Sequence, residues 1–140
     1  MPSRDSDPKL AARRRLVMEA ELGFAQALRY GHTREVFERY VAPNYVQHDP
    51  NLPEGREGLI RSFEAAADFF KSRPGEQPKA GFAIREMVLA QGDYVTLVFK
   101  SERREPADDS KTYTYYPVGV FRVENGKLAE HWGGEPKAAH

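Results

Sequence analysis

The stretch TYTYYPVGVFRVENGKLAEHWG, residues 112–133, alternates polar with β-branched and aromatic residues and is interrupted by turn-forming residues at Glu124-Asn125-Gly126. A period of two over Thr112–Val123 and again over Lys127–Gly133 predicts two adjacent antiparallel strands. The same signal reaches back to Pro78: Phe82–Leu89 and Tyr94–Ser101 are rich in Val, Ile, Phe, Tyr and Thr, with Gln91-Gly92-Asp93 and Pro106–Ser110 as separators. Four antiparallel strands in meander order are expected, with Arg103–Lys111 a charged loop joining two long ones.

Upstream of Pro78 the period changes to that of a helix. Val17, Ala20, Phe24, Ala27 and Leu28 recur at helical spacing within 9–30, with Arg13, Arg14, Glu19, Glu21, Gln26 and Arg29 assigned to the other faces and Gly31 ending the helix. Thr33 is a candidate cap for a short second helix carrying Val36, Phe37 and Tyr40. Asn44–His48 reads as a short strand entering the Asp49-Pro50 turn. A third helix fits 56–72 through Leu59, Ile60, Phe63, Ala66, Ala67 and Phe70, until Arg73-Pro74-Gly75 breaks it. Helices first and a bent sheet afterwards give an α+β fold, a cone with an apolar interior and a small-molecule pocket at its wide end.

The chain has 140 residues, enough for one core, so residues 9–133 are expected to form a single domain between mobile tails at 1–8 and 134–140. Twenty-one basic residues balance twenty-one acidic ones, which supplies no electrostatic case for nucleic acid or an anionic membrane. Apolar runs stay far below the roughly 20 residues that span a bilayer, and the start MPSRDSDPK has no secretory character, so a cytoplasmic protein is expected. The absence of cysteine excludes disulfides, thiolate nucleophiles and Cys-ligated metals. No GxGxxG, Walker A, HExxH or GxSxG segment occurs, and no His spacing suits a metal, so neither metal nor other cofactor is expected.

Several segments carry a resemblance. Tyr45-Val46-Gln47-His48-Asp49-Pro50, the Gly55/Gly58 pair, Phe69-Phe70, Gly92-Asp93-Tyr94-Val95 and the run from Val120 to Trp132 are similar, in order and spacing, to the SnoaL-like polyketide cyclase branch of the nuclear transport factor 2-like superfamily. The resemblance covers about 16–133. It implies a cone with a deep cavity, commonly a homodimer, and proton-transfer chemistry on a hydrophobic ring-forming or ring-containing substrate. It also implies two carboxylates that this chain lacks. Relatives often have Asp two residues before the Phe-Arg pair and directly after His-Trp, where Gly119 and Gly133 stand here. The carboxylate-dependent mechanism of the family therefore does not carry over.

Acid–base candidates are then few. His48, at the end of its strand, either exchanges protons or hydrogen-bonds the following turn; Asp49 either orients His48, works itself, or caps the turn. His131 shares strand parity with Lys127, Ala129 and Gly133, whereas Leu128, Glu130 and Trp132 take the other face; the resemblance turns the His131 face inward. Tyr113, Tyr115, Gly119, Phe121 and Val123 share one parity, so the two tyrosines are either enolate-binding phenols or cross-strand packing. The expected catalytic set is His48, His131, Asp49 and Tyr115, with Tyr45, Phe63, Tyr113, Gly119, Phe121 and Trp132 binding substrate. Trp132 and Leu128 are also expected on an exposed sheet face that pairs two copies.

The expected function is a cofactor-free cyclase, isomerase or dehydratase acting on a hydrophobic carbonyl compound, in polyketide or other secondary metabolism. The alternatives are a non-catalytic binding module of the same fold, an interaction domain, and an epoxide-opening enzyme.

Overall fold

The computed structural model describes residues 7–73, 83–133 and 136–137. Most of the two expected tails, and the start of the predicted strand at Phe82, lie outside the described residues. The element order is α1 (Pro8–Tyr30), α2 (Thr33–Tyr40), β1 (Val41–Gln47), α3 (Gly55–Ser72), β2 (Ala83–Gln91), β3 (Tyr94–Glu105), β4 (Asp108–Tyr115), β5 (Val118–Glu124) and β6 (Lys127–Gly133). Asp7 starts α1 by accepting from the Lys9 amide, and Gly31, at φ 83°, ends it with its N–H on the Ala27 carbonyl. Thr33 does not cap α2. The cap position is His32, in a left-handed conformation, and Thr33 is buried as the first helical residue.

The sheet runs β1-β6-β5-β3-β2, so the expected meander of β2, β3, β5 and β6 is present, and β1 extends it by pairing parallel to β6. Where a charged loop was expected at Arg103–Lys111, β3 continues to Glu105 and returns as β4, pairing Glu102 with Thr114 and Arg103 with Tyr113. Charge density alone did not mark a loop, because an exposed antiparallel ladder accepts charged side chains on its solvated side. The predicted strand over Thr112–Val123 is divided into β4 and β5 at Tyr116-Pro117, where proline lacks the N–H a ladder needs. Register survives the interruption: Ser101 faces Tyr115, the Phe99 amide donates to the Pro117 carbonyl, and Leu97 faces Gly119.

Register shifts in β1, β2, β3 and β6 mark the bends that curl the sheet. One of them corrects the parity reading of β6. Between the Arg122–Glu130 and Val123–Leu128 pairs an extra residue is inserted, so Leu128 turns inward and is fully buried rather than exposed beside Trp132.

The helices cover the concave face. Val17 and Ala20 of α1 pack on Val95, Leu97, Phe121, Val123 and Leu128. A second cluster holds Phe37, Val41, Tyr45, Leu59 and Ile60, and Phe24 touches both. Phe63, expected in the ligand pocket, packs edge-on against Phe37 at 4.9 Å and belongs to this second cluster. Each fully buried aliphatic side chain here contributes roughly 1.5–3 kcal/mol of transfer free energy, which fixes α1 against the sheet.

Candidate functional site

Along β1, Tyr45 and Gln47 point to the concave side and are buried. Gln47 pairs in register with His131 of β6, and the two side chains meet. The backbone N–H of Asp49, which can only donate, bonds the Gln47 amide oxygen at 3.0 Å. That oxygen also takes His131 Nδ1 at 2.7 Å, so Nδ1 carries a proton. The amide nitrogen of Gln47 donates to the Tyr45 hydroxyl at 2.9 Å. Three residues thus fix one tautomer: neutral His131 keeps its lone pair on Nε2.

Nε2 has no hydrogen-bond partner among the described residues and lies 3.2 Å from where a Cβ on Gly119 would stand. Gly119 is therefore small for a reason the sequence did not disclose, since the imidazole of the adjacent strand occupies the space above it. Burial lowers the His131 pKa below its usual value, opposed by the Asp49 charge and reinforced by His48. Burial likewise raises the Tyr45 phenol, with Gln47 opposing and Glu21 and Asp49 adding to the rise. Phe121 backs the imidazole, ring centres 4.5 Å apart.

The second family acid position is not vacant in space. At Gly133 the Asp49 carboxylate fills the volume, its Oδ2 2.6 Å from the point a Cβ would take. A carboxylate reaches the His131 neighbourhood from the loop after β1 instead of from β6. Further along the same face Tyr113 and Tyr115 stand 6.1 Å apart, both half-buried, with the Arg103 guanidinium 4.9 Å from the Tyr115 ring centre.

The structure separates the two histidines. His48 follows inward-facing Gln47 by one residue, so strand alternation sends it to the convex face, where Nε2 meets Glu130 at 2.6 Å and the ring stacks on Trp132 at 5.1 Å. Trp132, one residue from His131, is convex for the same reason. Glu130 also accepts from Arg122 Nε at 2.9 Å, and these two partners hold its carboxyl below the usual range. His48 and Trp132 accordingly do not line the concave site with His131, Asp49, Tyr45, Tyr113, Tyr115, Gly119 and Phe121. Two surface depressions, of about 300 Å³ beside Arg34 and Asp68 and about 660 Å³ beside Arg13 and Asn125, contain none of these concave-face residues.

One concave residue was misplaced by the sequence reading. Glu21, assigned to a polar face of α1, stands at the i+4 position from Val17 and three before Phe24, on the buried stripe. Its carboxyl is pushed up to about 7 by burial, opposed by the Arg85 charge. The signal was present, because 17, 20, 21, 24 and 27 form one helical face on which Glu21 is the one charged member. Among the described residues no group of three or more His, Asp or Glu is arranged to hold a metal ion, and no helix is long and apolar enough to cross a membrane.

Solved structures share this architecture. A proposed SnoaL-like polyketide cyclase from Jannaschia superposes with a TM-score of 0.59 at 16% identity, over 94% of this chain and 92% of its own. IdmH, a proposed polyketide cyclase from Streptomyces antibioticus, gives 0.52 at 20% identity, over 83% and 88%. A proposed polyketide cyclase from Bacillus cereus gives 0.51 at 23%, over 81% and 70%. At these identities the likeness is one of fold, the curved α+β cone of nuclear transport factor 2-like and cystatin-like proteins. Comparison with curated protein sequences gives no match. The profile of the SnoaL-like domain matches residues 23–131, which contain β1, the loop with Asp49 and β6 up to His131, and the chain belongs to that family.

Proposed function

We propose that this protein is a cofactor-independent proton-transfer enzyme of the cyclase, isomerase or dehydratase type, acting on a hydrophobic small molecule that carries a carbonyl group. The observation that carries the reading is the tautomer of His131: Gln47 holds the Nδ1 proton, and the Nε2 lone pair looks over Gly119 onto the concave face. A neutral imidazole with a lowered pKa is a general base throughout the neutral range. In the proposed step Nε2 removes a proton α to the carbonyl, Asp49 balances the imidazolium charge, and the phenols of Tyr113 and Tyr115 hydrogen-bond the substrate oxygen as negative charge develops on it. The apolar wall of Phe121 and Phe99 holds the substrate in a reactive conformation.

A second copy of the chain covers the convex sheet face in this proposal, because Val46, Met87, Leu89, Tyr94 and Val118 are all exposed there.

The test uses 2-tetralone, a hydrophobic ketone with acidic α-protons, in D2O. Loss of the α-proton signals by NMR, catalysed by the wild type and slowed at least a hundredfold by His131→Gln, is the expected result. Binding of the ketone without any exchange would replace the enzyme by a binding module.

A further inference from the structure

The α1 stripe points Glu21 into the molecule. Val17 and Ala20 are fully buried on β3, β5 and β6 residues, and Phe24 packs against both core clusters, so the position between them faces the concave side. From there the carboxyl feels Arg85 of β2 and acts on Tyr45 of β1, the phenol that Gln47 ties to His131. The other neighbouring elements bring apolar groups: Phe37 and Phe63 from α2 and α3 meet the same stretch of helix through Phe24, and β3 brings Val95, Leu97 and Phe99. Glu21 makes no hydrogen bond and no ion pair among the described residues, and protein surrounds it on nearly every side. Its residue still touches accessible space, and no fully occluded side-chain atom among the described residues lacks a partner. A carboxyl so placed has no bonding partner among the described residues and is free to bond a group that reaches it.

We propose that Glu21 is the proton donor of the site, delivering the proton of its carboxylic acid to the carbonyl oxygen of the bound substrate while His131 Nε2 removes the α-proton. This rests on the proton-transfer reading above and names its second catalytic residue. The balance is complete without a co-reactant. The α C–H bond breaks, its electron pair becomes the C=C bond, and the carbonyl π pair forms the O–H bond with the Glu21 proton. The products are a neutral enol, an imidazolium and a carboxylate, so the site's net charge is unchanged. Arg85 lies where it offsets the new carboxylate, and Asp49 where it offsets the imidazolium. Burial brings the carboxyl close to neutrality, where an acid both holds its proton and releases it readily. A buried, unpaired carboxyl costs stability at neutral pH, a cost that function at the site accounts for.

The experiment follows two probes. Fluorescence titration with 2-naphthol, a hydrophobic enol mimic, between pH 5 and pH 9 reads the donor. Wild-type affinity is expected to rise at least tenfold as Glu21 loses its proton near pH 7, because the carboxylate accepts the naphthol O–H as it accepts that of the product enol, and Glu21→Gln to show no change through pH 7. Glu19→Gln, exposed on the opposite side of α1, keeps the wild-type profile. A flat wild-type profile, an inflection that survives in Glu21→Gln, or no 2-naphthol binding by the wild type overturns the proposal. Exchange of 2-tetralone in D2O separates the two claims: Glu21→Gln is expected to slow it at least a hundredfold. Full exchange in Glu21→Gln with none in His131→Gln overturns the donor alone; no exchange by the wild type overturns the reading beneath it.

Discussion

Asp49 and Gly133 share one space: the Asp49 Oδ2 lies 2.6 Å from the point a Cβ on Gly133 would occupy. Real Cβ atoms do not tolerate that distance, so Gly133→Ala must expel the carboxylate from beside β6. Asp49 raises the His131 pKa against the burial that lowers it. Its removal therefore lets the His131 pKa fall further. Proton NMR titration of His131 should show a more acidic midpoint in Gly133→Ala than in the wild type, and exchange should slow because the imidazolium loses its counter-charge. An unchanged midpoint would mean that the carboxylate does not act on the imidazole.

His131 should act as a base only when neutral. Burial is the largest influence on it and lowers its pKa, so the rate should rise with pH through a midpoint below 6.5 and then stay level until Glu21 loses its proton. His131→Gln is expected to cost about 10²–10⁴-fold in turnover with the fold intact. Stability carries the same sign. A base whose folded pKa is depressed contributes stability above its unfolded value, lost as pH falls from 6.5 through the folded value. Glu21 changes stability in the opposite direction over that window but is common to both proteins, so a wild-type urea midpoint that declines relative to that of His131→Gln as pH falls would confirm both.

Much of this was legible in the chain because periodicity reports which face is buried. The stripe on α1, the alternation of Tyr94–Ser101 and Lys127–Gly133, and the α+β order all follow from apolar spacing. What parity could not report was a bulge: one inserted residue in β6 buries Leu128 while leaving His131 inward and Trp132 outward. The facing of His48 was not legible for a different reason. As an isolated residue at a strand end it offered no facing, and only the pairing of Gln47 with His131 fixes that His48 must point away. Gln47 itself carried no signal, since an amide that sets a tautomer looks in sequence like any polar residue. The Asp49–Gly133 substitution of space is invisible without coordinates, because it joins positions 84 residues apart.

Glu21 gives a stability prediction that does not depend on any ligand. Its folded pKa of about 7 lies above the ordinary glutamate value of 4.5, so the folded state holds the proton more tightly. The corresponding stability is fully present below 4.5 and is lost as pH rises through 7. Glu21→Gln removes this dependence. The variant should match the wild type at pH 4 and exceed it at pH 8, by at most about 3 kcal/mol and by less wherever water reaches the carboxyl. Chemical denaturation at the two pH values measures it; a variant no more stable at pH 8 would show that the carboxyl is already well solvated.

Assembly is tested on the convex face. Val46, Met87, Leu89, Tyr94 and Val118 each leave more than two fifths of their surface exposed there, and the stacked His48 and Trp132 lie among them. Isolated exposed apolar residues are ordinary, but these sit on adjacent strands of one sheet face. Glu130, held between His48 and Arg122, is a fixed polar group on the same face. Sedimentation at micromolar concentration should give a dimer for the wild type. Val118→Glu changes a side chain that is already exposed, so its fold should persist while a buried, unpaired carboxylate at the interface drives the protein to monomer. His48→Gln removes one partner of Glu130 without adding charge and should weaken the dimer by a smaller factor, leaving exchange of 2-tetralone far less affected than His131→Gln does. A monomeric wild type would leave the convex face uncovered, and a dimer unmoved by Val118→Glu would place the contact elsewhere.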